Sequence, residues 1–458
     1  MTMKNLNKTI LAFALLLVVN FAKAQEVSPL DFMMMNPYQM KSNPAFDMPY
    51  QSVFSILVGN VGMSLQNNGI HYDNCFDFDA QGRPVAYNFR KLANSLNKSN
   101  YTSFTSNWNL FTLYRRLNKG VLTFSYDFRA QGAASYNDGL FMLLGYGNSA
   151  FLGEDDPAVV DMNLNLKAYQ QIALGYQVNI TDKLSIGARL KFLLGLANVT
   201  TDAFHAAIYT DPDSYAIRIQ ENIGMRMSVP RVLIAEDGKL KLNSDIGLGE
   251  LFHNPGFGVD LGAEYHITDK IGVVASVTDL GFISWKYNNI QMTGKINDAG
   301  EYYDNGEFLF TGLNLNDMQG GSGVEHFLDT LKEYFKVDFS TAEKYTTGLN
   351  ANVMLRGYYD INPQNRVSAQ FTGKFMETGF RPAFTVAYSG SFFKMLDVCA
   401  TYTIMKDSYA NFGIGLGGNF DTFHIYVATS NIIGIFNPLN SKGFCAQAGI
   451  VFNLRGDD

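Results

Sequence analysis

Charge is scarce in this chain of 458 residues, 17% against roughly 25% in an ordinary soluble domain. With 47% hydrophobic residues beside it, that shortfall excludes a disordered chain and does not suit a typical cytosolic one. Proline is also sparse, 12 residues beside 42 Gly, 25 Tyr and 36 Phe. Aromatic residues suit a pleated surface and glycine suits tight turns, so this balance favours strands over helical repeats. The only cysteines, Cys75, Cys399 and Cys445, are too few and too scattered for a disulfide framework or a zinc site, and Cys399 and Cys445 each read as strand residues. Long apolar runs are missing too. The clearest one, at 10–19, is half the roughly 20 residues a helix needs to cross a bilayer.

That short run has its own reading. Lys4 and Lys8 precede it and Ala22-Lys23-Ala24 follows it, which is the plan of a secretory signal peptide with cleavage expected before Gln25. Loss of 1–24 removes Lys4, Lys8 and Lys23 and no acid, and so moves the formal net charge from -7 to -10. An acidic balance of this size argues against a nucleic-acid surface. A secreted chain this rich in apolar and aromatic residues, with no helix able to span, has one way left to cross a membrane: a closed β-barrel.

The strands are legible in the alternation. From Phe444 onward Phe444, Ala446, Ala448, Ile450, Phe452 and Leu454 fall on one face, with Cys445, Gln447, Gly449, Val451 and Asn453 on the other. Leu122, Phe124, Tyr126 and Phe128 alternate with Thr123, Ser125, Asp127, Arg129 and Gln131 in the same way. Such runs are about twice the usual globular strand and match the length used by membrane barrels. Leu174-Gly175 with Ile180-Thr181-Asp182-Lys183 recurs 87 residues later as Leu261-Gly262 with Ile267-Thr268-Asp269-Lys270, which predicts two similar hairpins.

Fourteen strands are predicted, at 51–61, 106–117, 121–131, 169–180, 184–197, 255–267, 271–280, 346–360, 366–374, 382–391, 396–405, 411–420, 423–430 and 444–455. Short connections alternate with longer ones, the latter at 62–105, 132–168, 198–254, 281–345, 375–381, 406–410 and 431–443. An even count, short turns on one side and long loops on the other describe an up-and-down barrel of the bacterial outer membrane, with both termini periplasmic. A soluble sandwich or propeller would explain the alternation but neither the strand length nor the loop asymmetry. Trp108 and Tyr114, on one face and roughly 20 Å apart along a strand, and the pair Phe257 and Tyr265, are expected at the two membrane interfaces.

Several local sequences together resemble FadL-like outer-membrane barrels, most closely a Bacteroidota subfamily classed as a domain of unknown function. They are Ser42-Asn43-Pro44-Ala45-Phe46, Ala197-Asn198-Val199, Phe257-Gly258-Val259-Asp260-Leu261-Gly262, Asp279-Leu280-Gly281-Phe282-Ile283-Ser284-Trp285, the run 411–419, and Phe436-Asn437-Pro438. The resemblance spans about 31–455. It implies fourteen strands, an N-terminal hatch inside the barrel carrying an Asn-Pro-Ala triad, here Asn43, Pro44 and Ala45, and uptake of hydrophobic compounds. The expected organisation is then an all-β, up-and-down antiparallel transmembrane barrel with a signal peptide at 1–24, a hatch segment at 25–49, a barrel at 50–458 and short extracellular loop helices.

Candidate sites follow. Arg115, Asp127, Arg129, Arg189, Lys191, Asp260, Glu264, Arg356 and Lys374 alternate onto the inward faces, and a lumen of fourteen strands is too wide for side chains alone to fill. Asp127, Arg129, Arg189, Asp260 and Glu264 are taken as its polar lining. In the loops Leu140, Phe141 and Leu143 form an apolar cluster, and Phe327, Leu328, Leu331 and Phe335 recur at helical spacing, so both groups are candidates either to hold a lipophilic ligand or to cap the mouth. Gly413, Gly415 and Gly418 imitate a dinucleotide fingerprint but lie within a strand, where small residues admit a closely packed segment. Six histidines show no helical pairing, no nucleophile elbow is present, and neither metal, cofactor nor catalytic residue is expected. The chain is thus read as a non-enzymatic, monomeric barrel among outer-membrane lipids that binds or moves a hydrophobic small molecule; the alternative is a scaffold for secretion or surface-assembly proteins.

Overall fold

A run of alternating residues can face lipid on one side only if its backbone groups pair with neighbours on both edges, and the wall of the computed structural model satisfies that condition all the way round. The structure describes residues 27–47 and 54–454, apart from 154, 214–216, 231–232, 237–238, 243–251, 295–300, 304–337, 378, 394, 406–407, 421 and 438–442. The wall strands are β1 (Phe54–Asn67), β2 (Asn100–Leu117), β3 (Gly120–Tyr136), β4 (Ala158–Asn179), β5 (Leu184–Thr210), β6 (Asn254–His266), β7 (Ile271–Trp285), β8 (Asn352–Asn362), β9 (Asn365–Met376), β10 (Gly379–Phe392), β11 (Leu396–Met405), β12 (Ser408–Phe420), β13 (Phe423–Thr429) and β14 (Gly443–Leu454). Each pairs antiparallel with the next, and β1 pairs with both β2 and β14, so the fourteen close on themselves. Tyr345–Gly348 continues the line of β8 along β7. All fourteen predicted strands are present.

The two faces are chemically opposite. Leu174, Leu190, Phe192, Leu261 and Leu355 stand about half exposed on the outside, where lipid would cover them, while Asp127, Gln171, Lys191, Asp260, Gln370 and Thr385 are buried on the inside. The two repeated hairpins turn alike: Ile180 N donates to Leu184 O and Ile267 N to Ile271 O, both at 2.8 Å, and the Thr181 and Thr268 hydroxyls each accept from the lysine amide two residues on.

Three expectations need correction. A register shift between Asn109 and Phe111 adds a residue to β2, and because strand side chains have period two, every later residue changes face. Trp108 is therefore 46% exposed on the outside while Tyr114 is 1% exposed and inside, and Arg115 points out in place of Arg116, which reaches Asp47 at 2.9 Å. The connections at 375–381 and 406–410 are not long, since the flanking strands run to Met376 and Gly379 and to Met405 and Ser408. Finally, Gly418 lies on the face opposite Gly413 and Gly415, against the Phe420 ring.

Beyond the wall, the outer part of β5 pairs with Ile217–Ser228, which in turn pairs with Asn289–Thr293. Helix Gly139–Tyr146 packs on the outer part of β4.

Candidate functional site

Residues 27–47 lie inside the barrel. Two prolines start its two 3-10 turns, Pro29–Asp31 and Pro37–Lys41, where a missing N–H costs nothing. Ser28 Oγ accepts from Leu30 N and Asn36 Oδ1 from Tyr38 N, satisfying the free donors at each start. At the triad Asn43 Oδ1 accepts from Ala45 N at 3.0 Å, an Asx turn that Pro44 stiffens by fixing its own φ. The other end of that amide, Nδ2, donates to Glu264 Oε2 at 3.2 Å on β6.

The wall is shaped to receive this segment. A side chain at Gly187 would collide with the Pro44 carbonyl, and one at Gly262 would sit 2.8 Å from Pro44 Cδ. At Gly413 and Gly415 a Cβ would come within 3.0 Å of Pro29 Cγ and 2.8 Å of Met33 Sδ, which is the close approach expected of small inward residues. Leu30, Phe32, Met33 and Met40 form one buried cluster with Leu57, Ala387, Cys399, Ala428 and Val451 of the wall. Polar links ring the cluster: Ser389 Oγ to Phe32 O at 2.7 Å, Ser276 Oγ to Ser42 O at 2.7 Å, Met35 N to Asp397 Oδ2 at 3.1 Å and Arg356 Nη1 to Gln39 Oε1 at 3.1 Å.

Toward the loop end the lining becomes charged. Lys41 Nζ lies 2.5 Å from Asp127 Oδ1, and Asp127 also accepts from Asn109 at 2.8 Å and Ser125 at 3.0 Å. Lys191 bridges Asp260 at 2.5 Å and Asp279 at 2.6 Å, Arg129 meets Asp279 at 2.9 Å, and Arg189 lies 3.4 Å from Asp260. Asp279 has a left-handed backbone, φ 58°, uncommon for a residue with a side chain, and its N–H donates to Asp260 at 2.7 Å. Burial lowers the Lys41 ammonium to about 8 although Asp127 opposes the shift. Burial likewise raises the Asp31 carboxyl, against the pull of Arg356.

Two cavities flank the segment. One of about 200 Å³ on the loop side is lined by Asp31, Tyr38, Lys41 and Ser42 from the segment and by wall residues that include Asp127, Arg129, Asp279 and Lys374. One of about 190 Å³ toward the short turns is lined by Met34, Phe46, Asp47, Ser185, Glu264, His266 and Arg366. They share no lining residue.

The structure thus brings Asp127, Arg129, Arg189, Asp260 and Glu264 to the inner face together with Asn43, Pro44 and Ala45. Leu140 and Leu143 pack with Val160, Ile208, Ile219 and Ile223, and Phe141 stands edge-on to Tyr136 at 6.0 Å. Phe327, Leu328, Leu331 and Phe335 lie outside the described residues. Sequence reasoning missed Lys41 and Asp279. Lys41 is the only base in 25–49, which was a usable signal; Asp279 shows its role only through bulged pairing and partners about 90 to 150 positions away.

Fold and lumen define the class: a membrane-spanning β-barrel of the outer-membrane kind with its own N-terminal segment folded inside. No curated protein matches the chain. A match over residues 44–430 shows that the chain belongs to a family of unknown function (DUF5723). Among solved structures it is similar to the Ralstonia pickettii toluene transporter TbuX, at 8% identity over 95% of this chain and 100% of that one with a TM-score of 0.45. It is also similar to the Pseudomonas putida toluene transporter TodX (9% identity, 94% and 97% covered, TM-score 0.40) and to a Pseudomonas aeruginosa FadL homologue (12%, 91% and 93%, 0.39). What those proteins carry is a property of those proteins.

Proposed function

We propose that this chain is an outer-membrane channel, its short turns toward the periplasm, that residues 27–47 hold shut until they shift. The observation that supports this reading is the pair of separate cavities on opposite sides of the segment. A plug must be both well seated and removable. The seat here combines an apolar cluster with single hydrogen bonds and two ion pairs, Lys41 with Asp127 and Asp47 with Arg116, without a covalent tie among the described residues. Deleting residues 25–47 behind the signal peptide is expected to leave a barrel that inserts and conducts ions in planar bilayers while the intact chain conducts little. Equal conductance of the two forms would end the plug reading.

The cargo expected from the sequence is a hydrophobic small molecule captured at the loops. The apolar cluster around Leu143 supports capture there, although its members cover one another, and a hydrophobic cargo would then meet a lumen lined by charge. Uptake of labelled fatty acids and apolar aromatics by a deletion strain tests it, and unchanged uptake across the panel would remove it. The second reading, a scaffold for secretion or surface-assembly proteins, draws on the density of contacts that fix the segment. It requires stoichiometric partners on copurification; a barrel that purifies alone counts against it.

A further inference from the structure

Among the described residues, the charged layer toward the loop end carries more bases than acids. Lys41 holds Asp127, Lys191 holds Asp260 and Asp279, Arg129 holds Asp279, Arg189 lies beside Asp260, and Lys167 reaches Glu377 at 3.3 Å. Five bases thus share four acids. Two more bases stand directly across from each other on neighbouring strands, Lys374 of β9 and Arg381 of β10, and like charges so placed repel unless an anion answers them. Arg381 is buried with its guanidinium 4.6 Å from the centre of the Tyr101 ring. Lys374 lines the loop-side cavity and makes no hydrogen bond or ion pair among the described residues. One acid, Asp279, and three bases, Arg129, Arg381 and Lys167, act on it electrostatically, and Asp279 is already held by Lys191 and Arg129. Asp31 lines the same cavity without supplying the missing charge, since Ser42 hydrogen-bonds it and burial raises its carboxyl.

The wall around Lys374 is polar. Thr278 of β7, Asn352 of β8 and Lys374 stand opposite one another in a single row across three adjacent strands, and all three line the cavity. Facing pairs of this kind hold their Cβ atoms about 5 Å apart, so a tetrahedral anion lies within reach of all three side chains. Asn352 Oδ1 is buried and accepts no hydrogen bond among the described residues. The row therefore offers an ammonium and a hydroxyl that donate, and an amide oxygen that needs a donor. Of the lining that β7 to β9 contribute, only Met354 and Met376 are apolar. Phe104 belongs to β2, seven strands from β9 around the ring and so on the opposite wall.

We infer that this row binds a small protonated oxyanion of the hydrogen-phosphate kind, its oxygens accepting from Lys374 Nζ and the Thr278 hydroxyl and its own O–H donating to Asn352 Oδ1. A bare sulfate or carboxylate answers the ammonium and leaves the amide oxygen buried without a donor, whereas a neutral polyol leaves the ammonium unanswered. An anion that still carries a proton satisfies all three groups. The surplus of positive charge in this layer, within a chain that is acidic overall, draws anions toward the cavity. All three groups belong to the wall, so the site goes beyond the gated-channel reading and does not depend on it.

Calorimetry on the intact, detergent-purified barrel, in chloride buffer at neutral pH and constant ionic strength, tests the inference with inorganic phosphate, sulfate and glycerol. Phosphate is expected to bind, sulfate to bind about tenfold more weakly because it leaves Asn352 Oδ1 without a donor, and glycerol to give no heat. Lys374→Met should abolish binding of both anions. Asn352→Ala should lower phosphate to the level of sulfate and leave sulfate where it was. Heat-modifiable migration on gels confirms that each variant is a folded barrel. No heat from phosphate at millimolar concentration, equal binding of phosphate and sulfate, or phosphate binding that survives Lys374→Met overturns the inference. If phosphate fails while deletion of 25–47 opens the pore, the site falls and the channel stands; if phosphate binds and deletion changes no conductance, the site stands and the channel reading falls.

Discussion

The wall is tall on one side and short on the other. Strands β2 to β5 run 18, 17, 22 and 27 residues, whereas β8 to β14 run 11, 12, 14, 10, 13, 7 and 12. About 9 to 11 tilted residues suffice to cross the hydrocarbon layer, so the short side ends near the membrane surface and the tall side continues well past it. Among the described residues, the tall side alone has the packing of a soluble protein above that level: Leu143, Val160, Ala206, Ile208, Ile219 and Ile223 form their own core there. The two sides therefore stabilise the molecule differently, one by lipid outside and the packed N-terminal segment inside, the other by a conventional apolar cluster.

The largest effect should come from unseating the plug on the lumen face while the lipid face is left alone. Gly187→Val is expected to displace residues around Pro44 and raise single-channel conductance toward that of the deletion, because the new side chain collides with the Pro44 carbonyl. Gly357→Val, where a Cβ meets nothing within 4 Å, should conduct like the parent. Similar conductance in the two variants would break the contrast between the faces.

Next in size is the ionic lining. Asp279→Asn leaves Lys191 and Arg129 facing each other with one carboxylate fewer, and should cost about 3 kcal/mol in urea unfolding, the scale of a buried pair broken on one side. A loss below the error of the measurement would mean that water already screens these groups. On the tall side Leu143→Ala should cost about 3 kcal/mol of local stability. Amide exchange in 158–160 and 206–208 would then quicken by about a hundredfold while the short side keeps its rates. Uniform acceleration around the barrel would show that the two sides are not independent.

The smallest effect is a pH slope. The docked segment holds the Lys41 proton less tightly, at about 8, than a released segment with an ordinary lysine near 10.4. Docking therefore sheds part of a proton, and raising the pH through that window favours the docked, closed form, so conductance should fall modestly. Lys41→Met should lack this slope, and a variant that retains it would assign the titration elsewhere.

Much of the wall was legible because lipid and lumen impose opposite chemistries on alternate residues. The tall extensions were not. In β5 the register shift opposite Ala168 and Tyr169 turns the alternation over, so that Phe192 faces out and Asn198 in, and a period-two reading stops at that point. The bulge near Leu110 hid the inward turn of Tyr114 for the same reason. In the lumen, the residue types on each inner face were readable, yet their partners were not, since Lys41 and Asp127 meet across 86 positions and Asn43 and Glu264 across 221. Alternation reports a residue's side of the wall and carries no information on what lies across from it.

The seam has a consequence for the order of events during assembly. Phe54 pairs with Leu454 and Gln66 with Gly443, so the ring cannot close until nearly the whole chain has been delivered. The inner segment precedes every wall strand, yet Met33 and Pro29 rest on β12 and Ser389 of β10 holds Phe32. Once the seam has formed, this segment is enclosed by a wall without a gap. The earliest part of the chain must therefore wait, unpaired and apolar, for its seat to be built, and the interval between its exit and that closure is when the protein is most exposed to misassembly.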